Sequence, residues 1–167
     1  AAAYTQSVNG KNSAAYYARK AKRAGYEFRA FDPVALSAAI YAVNTSASER
    51  QGRTMDASYL DTQFQYPLGD GNFYYGVFKG DELVAYLWIV NTGELTVLNR
   101  LLGHAAHLNE GVMYLLVTAY VEQLLPQKEK LKYVMYDTFF GATEGLKLFK
   151  TRCGFKAYRV KWKRSTN

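Results

Sequence analysis

Residues 145–155 read GLKLFKTRCGF, and this stretch decides the fold. Leu146, Phe149 and Cys153 fall at i, i+3 and i+7, one face of a helix. Gly154 supplies the left-handed residue that ends such a helix. The alternating run 155–163 then reads as a final strand. A short helix, a glycine stop and a closing strand form the last unit of a mixed α/β sheet.

Working outward, a buried strand is predicted over 133–136, just before that helix. Ahead of it lies a long helix over 110–125, apolar on most sides, which requires burial against a sheet. Three strands precede the helix, over 72–78, 83–90 and 94–101. The first two are joined by Lys79-Gly80-Asp81-Glu82, a hairpin signal, and the third follows an Asn91-Thr92-Gly93 turn. A strand is predicted over 26–31. Asp32 caps and Pro33 opens a helix to about residue 43. A second short helix covers 57–64. Residues 13–24 form a basic helix stopped by Gly25. The order is β-α-α-β-β-β-α-β-α-β with a helix in front, an α/β fold with a mixed, partly parallel sheet. Residues 1–25 read as a basic helical extension, and 26–167 as one domain.

The 167 residues suit one core, and about half of them are apolar. No run approaches the roughly 18 apolar residues of a membrane span, and the N-terminal segment lacks the apolar stretch of a signal peptide. The single cysteine, Cys153, excludes an internal disulfide and fits a reducing, cytoplasmic compartment. The net charge of +7 favours anionic partners. It gathers at Lys11, Arg19, Lys20, Lys22 and Arg23, and again at Lys156, Arg159, Lys161, Lys163 and Arg164.

The element order resembles the GNAT superfamily of acyltransferases from Tyr26 to Lys163. In that superfamily a Gln/Arg-x-x-Gly-x-Gly/Ala loop leads into the long helix and holds the pyrophosphate of acyl-coenzyme A. Arg100-Leu101-Leu102-Gly103-His104-Ala105 stands at that place. Free N–H groups at a helix start favour anions, and glycine lets the backbone come close. The resemblance therefore implies Arg100, Gly103, His104 and Ala105 as donor-binding residues. The loop runs on through Asn109, a plausible cap, and Gly111, which count among the donor-binding residues as well.

The C-terminal motif adds a departure. Many GNAT enzymes place a tyrosine four residues before the Gly-Phe glycine, where it protonates the leaving thiolate. Here that residue is Lys150. The string Phe149-Lys150-x-x-x-Gly154 resembles the FemAB-like branch, which implies aminoacyl-tRNA as an alternative donor. Lys150 lies on the apolar stripe, so it either snorkels or points into a cavity. Inside, it would stabilise a developing oxyanion. Asp137 ends the strand before the helix and either serves as base for an acceptor amine or caps the next turn. Tyr136 beside it is a second candidate.

Glu49, Arg50 and Arg53 flank a glycine in the loop where GNAT folds commonly bind the acceptor. They either grip a carboxylate or phosphate or form a solvated loop. His104, His107 and Glu110 are too thin a set to predict a metal. With no Ser-His-Asp or Cys-His arrangement, direct attack of an amine on an acyl donor is the expected chemistry. A catalytically dead binding domain of the same fold is the rival from another class.

Overall fold

The computed structural model describes residues 2–50, 53–127, 129–136 and 139–161. In chain order the elements are α1 (Ala2–Ser7), α2 (Ala14–Arg23), β1 (Tyr26–Ala30), α3 (Ser37–Thr45), β2 (Glu49–Arg50), β3 (Arg53–Thr54), β4 (Asn72–Lys79), β5 (Glu82–Thr92), β6 (Leu95–Gly103), α4 (Val112–Leu124), β7 (Tyr133–Met135) and α5 (Glu144–Arg152). One sheet runs in the order β1-β4-β5-β6-β7, and β2 with β3 forms a separate hairpin. Within the large sheet only β6 and β7 are parallel. This is the mixed sheet read from the sequence.

Both long hairpins close through two-residue loops led by glycine. Gly80 has φ +60° between the paired Lys79 and Glu82, and Gly93 has φ +55° between Thr92 and Leu95. Positive φ at the first loop position is what a type II′ turn requires. The central strand β5 is buried on both faces. One face carries Val84, Leu87 and Ile89 against Leu115, Leu116 and Tyr120 of α4. The other carries Leu83 and Tyr86 against Ile40 and Val43 of α3.

The basic N-terminal helix shares this core. Ser13 caps α2 by accepting from Tyr16 N–H (3.2 Å). Ala14, Ala18 and Ala21 are buried along one stripe facing α4, and their small side chains let the helices approach closely. The cations Arg19, Lys20, Lys22 and Arg23 stay exposed on the other side. The first helix, α1, has no counterpart in the sequence reading. It docks on the end of α5, where Val8 packs with Val117 and Cys153 and Tyr4 Oη donates to Cys153 O (3.3 Å).

Several boundaries differ from expectation. Asp32 accepts from Val34 and Ala35 N–H and makes a turn, and α3 starts only at Ser37. The helix predicted over 57–64 is a single 3-10 turn, Ala57–Tyr59, capped by Asp56. The β2–β3 hairpin before it was not expected. The predicted strand over 155–163 is absent: residues 155–161 belong to no strand, and 162 and 163 lie outside the described residues. Alternation alone does not bury that segment; Tyr158 is 78% exposed. β7 was expected to be buried, but no described strand pairs with its outer edge, and Tyr133 is 65% exposed.

Candidate active site

β6 and β7 pair only at Leu95–Tyr133, Thr96–Val134 and Val97–Met135. Among the described residues β6 then continues for six more residues without a strand on that side. The parting point coincides with a β-bulge. Trp88 pairs with Arg100 and Ile89 with Leu98, which leaves Asn99 as the extra residue. Strand residues alternate faces with period two, and one extra residue reverses the phase. Thr96, bonded to Tyr120 Oη (2.7 Å), and Leu98 therefore face α4. Arg100 and Leu102 face the α3 side. The opening between the strands thus has a wall of unpaired β6 edge, with exposed Asn99 at its bend.

The end of β6 leads to the start of α4 through 104–111. Three features of this connection limit it as an anion cradle. His104 N–H donates to Val84 O (2.7 Å), Ala105 N–H to Ser46 Oγ (3.0 Å), and Ala106 N–H to His104 Nδ1 (3.3 Å). The amides of the predicted phosphate loop are therefore occupied by the fold. The donors without a side-chain partner come later. Gly111 precedes α4 at φ +84° with no side-chain cap, so the first-turn N–H groups have no side-chain acceptor. A Cβ on Gly111 would sit 2.6 Å from Tyr17 O, so α2 and α4 meet here backbone to backbone. Gly103 is also closely packed, but against flexible side-chain ends that can shift: its Cβ would meet Met113 Sδ at 2.6 Å and Leu108 Cδ2 at 2.8 Å.

α2 brings positive charge to this end. Lys20 Nζ bonds Asn109 O (3.1 Å) and Glu110 Oε2 (3.2 Å), next to Gly111. With Tyr16, Arg19 and Arg23 it lines a small cleft of about 130 Å³.

Lys150 does not snorkel. It is 1% exposed, its Nζ donates to Tyr136 O (3.1 Å), and it lies 4.2 Å over the Tyr136 ring. The helix that carries it is fixed at both ends. Thr143 Oγ1 accepts from Leu146 N–H (3.4 Å) at the start. At the finish Gly154, φ +85°, donates to Thr151 O while Phe155 N–H donates to Lys150 O, both at 3.0 Å. That pair of bonds is a Schellman stop. The structure therefore unites Lys150 and Tyr136 at the end of β7, beside the opening. Asp137 lies outside the described residues. Cys153 is buried at the helix end, and burial pushes its thiol up, away from reactivity.

The remaining predicted residues do not join this group. Arg100 lies on the opposite sheet face from α4, packed against aromatic rings. Arg50 donates to Gly103 O (2.7 Å), Val43 O (2.8 Å) and Ser46 Oγ (2.9 Å), tying the β2–β3 hairpin to α3 and β6. Its burial lowers its pKa. Glu49 is exposed on that hairpin, and the Arg53 side chain lies outside the described residues. His107 Nδ1 shares a hydrogen with Tyr26 Oη (2.8 Å), and its Nε2 is 3.7 Å from Glu82. Among the described residues no group of three His, Cys, Asp or Glu is placed to hold a metal, and no helix is long and apolar enough to cross a membrane. The bulge at Asn99 escaped sequence reading because it is a property of two strands in register.

No family model matches the chain, and no curated protein does. Solved structures do. An acetyltransferase from Trypanosoma brucei matches with TM-score 0.55 at 11% identity, covering 84% of this chain and 99% of that one. Glucosamine-6-phosphate N-acetyltransferase from Arabidopsis thaliana matches with TM-score 0.55 at 9% identity, covering 85% and 99%. A transcriptional regulator from Bacillus halodurans matches with TM-score 0.59 at 16% identity, covering 84% and 99%. Identities this low carry the fold, which is that of the GNAT acetyltransferases. They do not support the FemAB-like resemblance of the C-terminal motif. A fold alone assigns no activity.

Proposed function

We propose that this chain is an N-acyltransferase that moves an acyl group from an acyl-coenzyme A donor to an amine. One observation carries the reading: β6 and β7 part after three pairs, at a bulge, beside the uncapped N-terminus of α4. The residues fit such a donor. The first-turn amides of α4 supply N–H groups to a pyrophosphate, and Lys20, Arg19 and Arg23 add positive charge. The donor-binding role expected of Arg100 and Ala105 passes in this reading to Gly111 and the first turn of α4.

A bound thioester would supply the activated carbonyl. The chain positions it in the opening, where the free edge of β6 near Asn99 offers N–H groups to the developing oxyanion. Lys150, held by Tyr136, supplies a buried positive charge at the same mouth. The acceptor amine attacks directly, its nitrogen forming the new amide bond as the carbon–sulfur bond breaks. Asp137 is proposed to take the amine proton and Lys150 to stabilise or protonate the leaving thiolate.

Calorimetry and thermal shift with acetyl-, malonyl- and long-chain acyl-coenzyme A test this. A ligand at a hundred times its Kd stabilises by about 2.7 kcal/mol. Salt-sensitive tRNA binding without coenzyme A binding would transfer the reading to an aminoacyl-tRNA donor.

A further inference from the structure

Arg100 is 9% exposed, and a guanidinium stays charged under all ordinary conditions. It donates to the neutral Ser58 Oγ (3.2 Å), and the neutral Tyr86 hydroxyl lies close enough to interact with it. Three rings surround it, with Phe64 at 4.3 Å, Tyr59 at 4.5 Å and Trp88 at 5.6 Å. Its Nη1 is buried and has no hydrogen-bond partner, and among the described residues no carboxylate lies within ion-pairing distance. Asp56 is near enough for Arg100 to help lower its pKa. Its carboxylate, however, bonds Ser58 N–H (2.8 Å) and stays on the surface. Aromatic faces attract a cation but cannot accept its in-plane N–H groups. A buried fork with an open prong is therefore an incomplete anion site.

Its position gives the site a role. Arg100 follows the bulge directly, on the stretch of β6 that borders the opening, and faces away from α4. A donor held at α4 leaves this opposite face for the acceptor. We propose that Arg100 binds a carboxylate on the acceptor, so that the substrate is an amine bearing a carboxylate, seated among Tyr59, Phe64 and Trp88. This rests on the acyltransferase reading. Entry requires the segment around 57–68 to lift, and Leu60 and Leu68 there are exposed.

Two measurements separate the inference from its premise. The first needs no turnover. In a W162F background Trp88 is the only tryptophan, and its fluorescence reports ligands at the box. Phenylalanine should perturb it saturably and phenylalaninamide should not. Arg100→Gln should abolish the response, and Arg100→Lys, which keeps charge but not the fork, should weaken it roughly tenfold to a hundredfold. If R100Q does not fold, R100K decides. The second measures transfer to carboxylate-bearing amines against their amides. The carboxylate forms should have the lower KM, R100K should erase that preference, and acyl-coenzyme A affinity should stay unchanged. Equal responses to acid and amide, a preference for phosphate-bearing amines, or a preference untouched in R100K would overturn the proposal. Loss of acyl-coenzyme A binding in the unmutated protein would instead overturn the premise, leaving the fluorescence result to judge the carboxylate site alone.

Discussion

Replacing Gly111 by alanine tests the junction on which the proposed donor site depends. Two costs follow from the geometry. At φ +84° an L-residue pays roughly 1–2 kcal/mol. The added Cβ would lie 2.6 Å from Tyr17 O, 3.1 Å from Tyr17 C and 3.2 Å from its Cβ. Two of those neighbours are main-chain atoms of α2, so the helix itself has to move. Overpacking of this kind costs about 1–3 kcal/mol. The sum is about 2–5 kcal/mol, which for a domain of this size lowers Tm by roughly 5–15 °C. Gly111→Asn separates the two parts, because asparagine tolerates the left-handed region but still carries the Cβ. Thermal melts of the three proteins should rank Gly above Asn above Ala. Acyl-coenzyme A affinity should fall in both variants, because α2 shifts away from the helix start. A Tm within about 2 °C of the parent in G111A would refute the backbone-to-backbone junction of α2 and α4.

Three further outcomes are expected. Lys150→Met should keep most of the stability, because the side chain is buried and similar in length, but should lower kcat by about 10²–10³ if the charge serves the oxyanion; unchanged kcat with lost stability would make the lysine structural. The carboxyl of Asp56 is held below its usual range, chiefly by hydrogen bonds to Ser58. Its stabilisation is present above the unfolded pKa of about 3.9 and is lost as pH falls through the folded value. The Tm difference between parent and Asp56→Asn should therefore shrink below about pH 4, and a constant difference would contradict the bond. The single thiol, Cys153, should resist a disulfide reagent in the native protein at pH 8 and react on unfolding; rapid native labelling would contradict its burial under α1.

Local chemistry made much of the fold legible. The glycine stops at Gly25 and Gly154 and the two glycine-led hairpins all depend on residues close in sequence. The apolar length of α4 announced a buried helix. What stayed hidden depends on partners distant in sequence. Alternation in 155–163 suggested a strand, but a strand also has to pair, and residues 155–161 take up neither the open outer edge of β7 nor the edge of any other described strand. The apolar stripe around Lys150 was visible, whereas the choice between snorkelling and burial turned on Tyr136, fourteen residues away. Arg100 matched a sequence pattern for phosphate binding, yet the bulge beside it turned the side chain to the other face. The amides of Ala105 and Ala106 looked free because Ser46 and the His104 ring were not yet in place around them. In the proposed reading the donor's phosphates are therefore held at the far end of the predicted loop, at Gly111 and the first turn of α4.

The most direct test of the proposed activity is titration of the purified chain with acetyl-coenzyme A by calorimetry, beside the Gly111→Ala variant. The account predicts saturable one-to-one binding that weakens in the variant and falls as salt rises, since Lys20, Arg19 and Arg23 contribute charge. No binding by any acyl-coenzyme A, or binding that G111A leaves unaltered, would contradict it.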